Sequence, residues 1–146
     1  MPQDANVQFP SRKRRVLVID DEENVRRLMR VTLAKAGVDI LEAADGGKAI
    51  ELLSAADNST MVDLIICDIR MPEVNGVEAI TYFRRNYPSI PITVLTGYPD
   101  SEMAASFLKQ GVMDYVIKPI DGTKLLAVVE KALEQRSGRK APVKED

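Results

Sequence analysis

Two acidic residues in a row, Asp20-Asp21, close the apolar run Val16-Leu17-Val18-Ile19. A third carboxylate, Asp68, closes Leu64-Ile65-Ile66-Cys67. A hydroxyl, Thr96, ends the run from Ile92 to Leu95, and Lys118-Pro119 follows Tyr115-Val116-Ile117. Carboxylates brought close together repel unless a proton or a cation intervenes. An all-oxygen donor set with no sulfur or imidazole is hard, which suits magnesium, with manganese also possible. A divalent cation, an ammonium and a hydroxyl around one carboxylate make a cradle for a phosphoryl group carried on that carboxylate. The transferred group holds its charge on equatorial oxygens, so its chemistry is mostly positioning and neutralisation. Each residue also has an ordinary explanation taken singly. Asp21 or Glu22 can cap a helix, Thr96 can sit in a turn, and Lys118 can be a solvated edge charge. It is their recurrence at successive strand ends that makes a site.

Those strand ends follow from the hydropathy pattern. Val16–Ile19, Leu64–Cys67 and Ile92–Leu95 are apolar throughout or nearly so, as in strands buried on both faces. Val38–Ala43 is a more polar strand, and Tyr115–Ile117 is a fifth. Between them, apolar residues recur at helical spacing. Val25, Leu28, Met29, Leu33 and Ala36 form one stripe, stopped by Gly37. Asp45 caps a helix carrying Ala49, Leu52, Leu53 and Ala56. Val77, Ile80, Phe83 and Tyr87 mark a third helix, and Ser101 to Gln110 a fourth, stopped by Gly111. Asp121 caps a last helix with Leu125, Val128, Val129, Ala132 and Leu133 on one face. Five β-α units in strict alternation predict an α/β fold, a doubly wound five-stranded parallel sheet. The polar second strand and the charge-flanked fifth belong at the edges. With right-handed crossovers this gives the flavodoxin-like order 2-1-3-4-5. The order reverses between strands one and three, and ligands bind beyond the carboxyl ends of strands at such a point.

Composition bounds the rest. The chain has 146 residues, one cysteine, no histidine and a formal net charge of −2. That length suits one domain. Residues 1–13 read as a disordered lead, 14–136 as the domain, and 137–146 as a flexible tail or truncated linker. Without histidine there is no imidazole base, no imidazole metal ligand and no phosphohistidine on this chain. The near-neutral balance offers no global field toward nucleic acid or a membrane. The run Arg12-Lys13-Arg14-Arg15 lacks aromatics and reads as a solvated lead-in rather than a nucleic-acid arm. A lone cysteine and the lack of an apolar span fit a cytoplasmic protein.

The motifs Val16-Leu17-Val18-Ile19-Asp20-Asp21, Ile66-Cys67-Asp68-Ile69-Arg70-Met71-Pro72, Val94-Leu95-Thr96-Gly97 and Gly111 through Pro119 together give the chain a resemblance. It resembles the receiver domains of two-component response regulators, the CheY-like family, over about Arg14 to Arg136. The resemblance implies a phosphorylation-activated switch. Asp68 would accept the phosphoryl group from a phosphohistidine on a sensor histidine kinase or a histidine phosphotransfer protein. Asp21 and Asp68 would ligate magnesium directly, Asp20 through water, and the backbone carbonyl of Arg70 would complete the protein ligands. Lys118 would pair with the phosphate, and its bond to Pro119 would be cis. Thr96 would swing toward the phosphoryl oxygens, with Gly97 leaving space, and Tyr115 would turn inward behind it. By the same resemblance Arg70 and Tyr98 would flank the path of the hydrolytic water, and their bulk would favour a long-lived phosphoryl state. The resemblance implies no enzyme beyond assistance to its own phosphotransfer and dephosphorylation. The output surface would join the fourth helix, fifth strand and fifth helix, where a homodimer or partner contact would form.

Two other functions compete. An aspartate-nucleophile phosphatase of the haloacid dehalogenase type would need an acid two residues after Asp68. That position holds Arg70, which cannot donate a proton at neutral pH. A phosphate-independent interaction module on the same fold would not need the acceptor, metal and switch positions that this chain keeps.

Overall fold

A computed structural model of the chain describes residues 13–69, 76–97 and 100–140, with the side chains of 76 and 135–140 excepted. The strands are β1 (Arg15–Ile19), β2 (Asp39–Ala43), β3 (Leu64–Asp68), β4 (Ile92–Thr96) and β5 (Asp114–Ile117). The helices are α1 (Glu23–Lys35), α2 (Gly46–Ser54), α3 (Asn58–Met61), α4 (Gly76–Asn86), α5 (Ser101–Lys109) and α6 (Gly122–Lys140). All strand pairs are parallel, and the sheet order is β2-β1-β3-β4-β5. The predicted doubly wound architecture is therefore the observed one.

The pleat splits each central strand between two cores. Val16, Val18, Leu64, Ile66 and Leu95 face α1 and α6, meeting Met29, Leu33, Leu125, Val129 and Ala132. Leu17, Ile19, Ile65, Cys67 and Val94 face the other layer, meeting Ala49 and Leu53 of α2, Ile80 and Phe83 of α4, and Phe107 of α5. Both strands β3 and β4 are buried along their whole length, whereas β2 is half-exposed except at Ala43. That contrast is why continuous apolar runs occupy the centre and Glu42 an edge.

Local signals set the helix ends. Asp45 accepts from the Lys48 N–H at 2.8 Å, and Asp121 from the Lys124 N–H at 2.8 Å. Each satisfies a first-turn donor that the helix cannot. Gly37 (φ 77°) and Gly111 (φ 98°) supply left-handed turns after α1 and α5.

Three features differ from the sequence expectation. The short α3 occupies a stretch expected to be loop. Asn58 at its start donates to the Leu52 carbonyl and accepts from Arg15 Nη1, so contacts from α2 and β1 hold it. The last helix runs on to Lys140, past the boundary placed at 137. Gly138 costs an interior helix about 1 kcal/mol but does not break it, and Arg139 and Lys140 suit a helix C-terminus. The basic lead-in is not simply solvated. Lys13 lies 3.2 Å from Asp39, Arg14 3.9 Å from the buried Asp63, and Arg15 3.8 Å from Asp57. Among the described residues, no helix is long and apolar enough to cross a membrane.

Candidate functional site

The sheet register brings the strand-end residues together. Ile19 pairs with Cys67, so Asp20 emerges beside Asp68. Thr96 pairs with Ile117, so Lys118 emerges beside Thr96, and its N–H donates to the Thr96 carbonyl at 2.7 Å. Asp20, Asp21 and Asp68 each offer a carboxylate oxygen, and these oxygens lie within 4.8 Å of one another. Asp20 and Asp68 are buried and Asp21 is exposed. One acid thus opens the site to solvent while two form its floor.

Lys118 closes the arrangement from β5. Its Nζ lies 2.9 Å from Asp20 Oδ2 and 3.1 Å from Asp68 Oδ2. It also donates to Glu22 Oε1 at 2.8 Å. The bond from Lys118 to Pro119 is cis. Glu22 is the site residue that sequence reasoning treated only as a possible helix cap. It stands at the cap position of α1 but makes no side-chain cap bond. Its own N–H donates to Asp20 Oδ1 at 2.8 Å, and its side chain goes to the lysine instead. Nothing in local sequence signals a partner 96 positions away.

The electrostatics follow from burial and pairing. Burial raises the Asp20 carboxyl above its ordinary value, and the Asp68 charge adds to that. The nearby Lys118 ammonium and the hydrogen bond from the Glu22 N–H pull the other way without cancelling it. Burial alone would lower the Lys118 ammonium, but Glu22, Asp20 and Asp68 outweigh it and hold the group charged. The Cys67 thiol is pushed far up by complete burial, with Asp68 and Asp20 adding to the effect, so it is inert as a nucleophile.

The donor set fits a hard divalent cation. It consists of carboxylate oxygens, and the buried Asp20 Oδ2 makes no well-aligned hydrogen bond although the Lys118 ammonium lies near. An under-coordinated buried oxygen with a raised pKa is relieved by a cation.

Thr96 is fully buried at the end of β4. Tyr115 is half-buried and packs against the α2, α4 and α5 core, while its hydroxyl accepts from the Asp100 N–H at 3.3 Å. This places the Tyr115 ring against the N-terminus of α5. Gly97 is exposed, and a Cβ there would lie 4.0 Å from Lys118 Cδ, an ordinary contact. Arg70 and Tyr98, and with them the expected carbonyl ligand and the expected water shield, lie outside the described residues.

With fold and site in place, the chain belongs to the response regulator receiver domain family, whose model matches residues 16–130. The regulatory protein AtoC of Escherichia coli is 36% identical over 126 residues, which is 86% of this chain and 26% of that protein. The DNA-binding transcriptional regulator NtrC of Escherichia coli is 30% identical over 127 residues, 87% of this chain and 26% of that protein. The chain therefore spans about a quarter of the length of these curated relatives. The chemotaxis response regulator CheY4 of Vibrio cholerae superposes with a TM-score of 0.75 at 29% identity, over 84% of this chain and all of that one. A CheY-like receiver domain from Methanospirillum hungatei has a TM-score of 0.81 at 22% identity, covering 88% of this chain and 99% of that chain, and so supports the fold. Receiver domains are switch domains of two-component signalling, which work with sensor histidine kinases and bind magnesium through acidic residues. Family membership sets the dehalogenase-type phosphatase aside.

Proposed function

We propose that this receiver is switched by phosphorylation at Asp68. The position of Lys118 carries this reading: an ammonium within about 3 Å of Asp20, Glu22 and Asp68 is placed to neutralise charge added to Asp68. A carboxylate oxygen of Asp68 attacks the phosphorus of a phosphohistidine on a sensor kinase or phosphotransfer protein. The P–N bond breaks, and the departing imidazole keeps the electron pair and takes a proton. Asp68 lies 3% exposed at the end of β3, so the donor must approach from the open side where Asp21 stands. Asp21 and Asp68 would hold magnesium directly and Asp20 through water, with the Arg70 carbonyl as a further ligand. The ion, when bound, supplies charge neutralisation at the phosphoryl oxygens. Thr96 would donate its hydroxyl to those oxygens.

A small-molecule phosphodonor such as acetyl phosphate tests the reading. Acyl-phosphate labelling is expected with magnesium and strongly reduced without it, and Asp68→Asn abolishes it. Labelling that survives Asp68→Asn refutes the assignment, and a wild-type protein that takes no label favours the phosphate-independent module instead. Asp21→Asn separates the two roles of the acids. Asp21 is exposed, so relieving its repulsion is expected to stabilise the metal-free fold by less than about 1 kcal/mol. The same change is expected to suppress labelling, because a direct ligand is lost. A variant that labels at the wild-type rate argues against Asp21 as a ligand.

The output surface is inferred to be that of α5, β5 and α6. Leu108 of α5 and Ile117 of β5 are exposed apolar residues on elements of that surface. Likeness to AtoC and NtrC, which are named as regulators, suggests control of transcription as the output in a longer protein. The receiver would act in the cytoplasm, where its kinase domain partner and reduced Cys67 are at home.

A further inference from the structure

Arg26 lies in the first turns of α1, and its side chain is only 14% exposed. The guanidinium is fixed on three sides. Nη1 donates to the backbone carbonyl of Asp20 at 2.6 Å, Nε to Glu42 Oε1 at 3.2 Å, and Nη2 to Glu23 Oε1. The Asp20 carbonyl belongs to the peptide that joins Asp20 to Asp21. The orientation of that peptide decides how the buried and the exposed carboxylate point relative to each other. The positions on either side of that peptide are held as well. The Asp20 N–H donates to the Ala43 carbonyl at 3.1 Å, and the Glu22 N–H to Asp20 Oδ1 at 2.8 Å. Arg26 holds the carbonyl of the Asp20–Asp21 peptide itself. Glu42, the carboxylate on the otherwise half-exposed edge strand β2, sets the direction from which that hold acts, and Arg30 pairs with it as well. A rigid planar fork suits this task, because its separate nitrogens reach acceptors on three sides at fixed angles, whereas a lysine presents all its donors from a single nitrogen.

Resting on the reading of Asp20, Asp21 and Asp68 as a magnesium site, we propose that Arg26, oriented by Glu42, is a positioning residue that fixes the Asp20–Asp21 peptide and so sets the affinity for the divalent cation. The sign of the effect separates this role from simple electrostatics. By charge alone, deleting a cation beside the site would tighten magnesium binding. Loss of positioning has the opposite sign, since removing a partner that orients metal ligands typically weakens binding 10- to 100-fold.

Magnesium chloride is titrated into the 146-residue protein and followed by the amide NMR shifts of Asp20 and Asp21. Arg26→Ala is expected to raise the Kd about tenfold. Arg26→Lys keeps the charge but loses the fork, and is expected to raise it severalfold. Arg27→Ala removes the same charge from an exposed position on α1 and is expected to leave the Kd unchanged or slightly lower. Should Arg26→Ala not fold, Arg26→Lys decides. Binding as tight as wild type, or tighter, in the folded Arg26 variant overturns the proposal. A wild-type protein with no saturable shift overturns the magnesium reading itself, and the proposal with it.

Discussion

Lys118→Met is expected to lower the stability of the metal-free protein by about 3 kcal/mol, a fall of roughly 10 °C in Tm for a chain of this size. The ammonium faces both Asp20, which is fully buried, and Asp68, which is nearly so. Removing one partner of a buried ion pair costs more than the pair contributes, because the remaining buried charge loses compensation that water replaces poorly. The third contact, to Glu22, is to an exposed side chain and adds little. Two further measurements make the cause specific. Magnesium should restore much of the loss, since a cation held by the same acids replaces the missing charge. Asp20→Asn combined with Lys118→Met should be markedly more stable than Lys118→Met alone, a non-additive result expected of groups in direct contact.

The pH dependence has a definite sign. Burial raises the Asp20 carboxyl in the folded protein above its unfolded value. The native state therefore binds more protons than the unfolded state between the two values, and stability falls as pH rises through that window. Without Lys118 the folded value rises further. The deficit of Lys118→Met should thus be largest at neutral pH and shrink as the solution is acidified toward pH 4. A melting temperature within about 2 °C of wild type at pH 7 would show that Asp20 and Asp68 do not depend on the lysine.

How much of this was visible beforehand depends on the range of the signal. The strand order was legible because three strands are apolar on both faces and β2 is not, a contrast that needs no knowledge of contacts. The caps at Asp45 and Asp121 act over three residues and were legible for the same reason. Asp20, Asp21, Asp68, Thr96 and Lys118 could be grouped because each ends or follows a strand, and parallel register then aligns them. Glu22 and Arg26 were not legible as site residues. Their types are ordinary in a first helical turn, and their roles depend on Lys118 and Glu42, which only the folded sheet brings near. The single turn α3 was missed because Asn58 is held by Leu52 and Arg15 rather than by any helical pattern of its own. The end of α6 was misplaced because Ser137 and Gly138 look like a stop but sit in a helix already anchored by Leu125, Val129 and Ala132.

Phosphorylation, or its beryllofluoride mimic, is expected to produce the largest amide shifts outside the acidic site at Asp100, at the first turn of α5, and at Tyr115. The starting geometry specifies why. The Tyr115 hydroxyl accepts from the Asp100 N–H at 3.3 Å, so the ring ties β5 to the N-terminus of α5. Asp100 also caps that helix, accepting from the Met103 N–H at 3.0 Å. Thr96 stands fully buried one strand away, with Lys118 bonded to its carbonyl. A phosphoryl group on Asp68 adds charge and acceptor oxygens that attract the Thr96 hydroxyl. As Thr96 moves, space opens that the Tyr115 ring can enter, and inward rotation breaks the bond to Asp100. The start of α5 then loses its tie to β5 and repacks, changing the surface that presents Leu108 and Ile117. The two arrangements must differ by only a few kcal/mol, so the unmodified protein samples the active one. Tyr115→Phe removes the hydroxyl but keeps the ring. It should therefore shift the unmodified spectrum at Asp100 toward the activated positions while leaving labelling at Asp68 intact. Thr96→Ala should still be labelled, more slowly, and should leave Tyr115 and α5 unresponsive. Shifts confined to α1 on activation, with Asp100 and Tyr115 silent, would exclude this route for the signal.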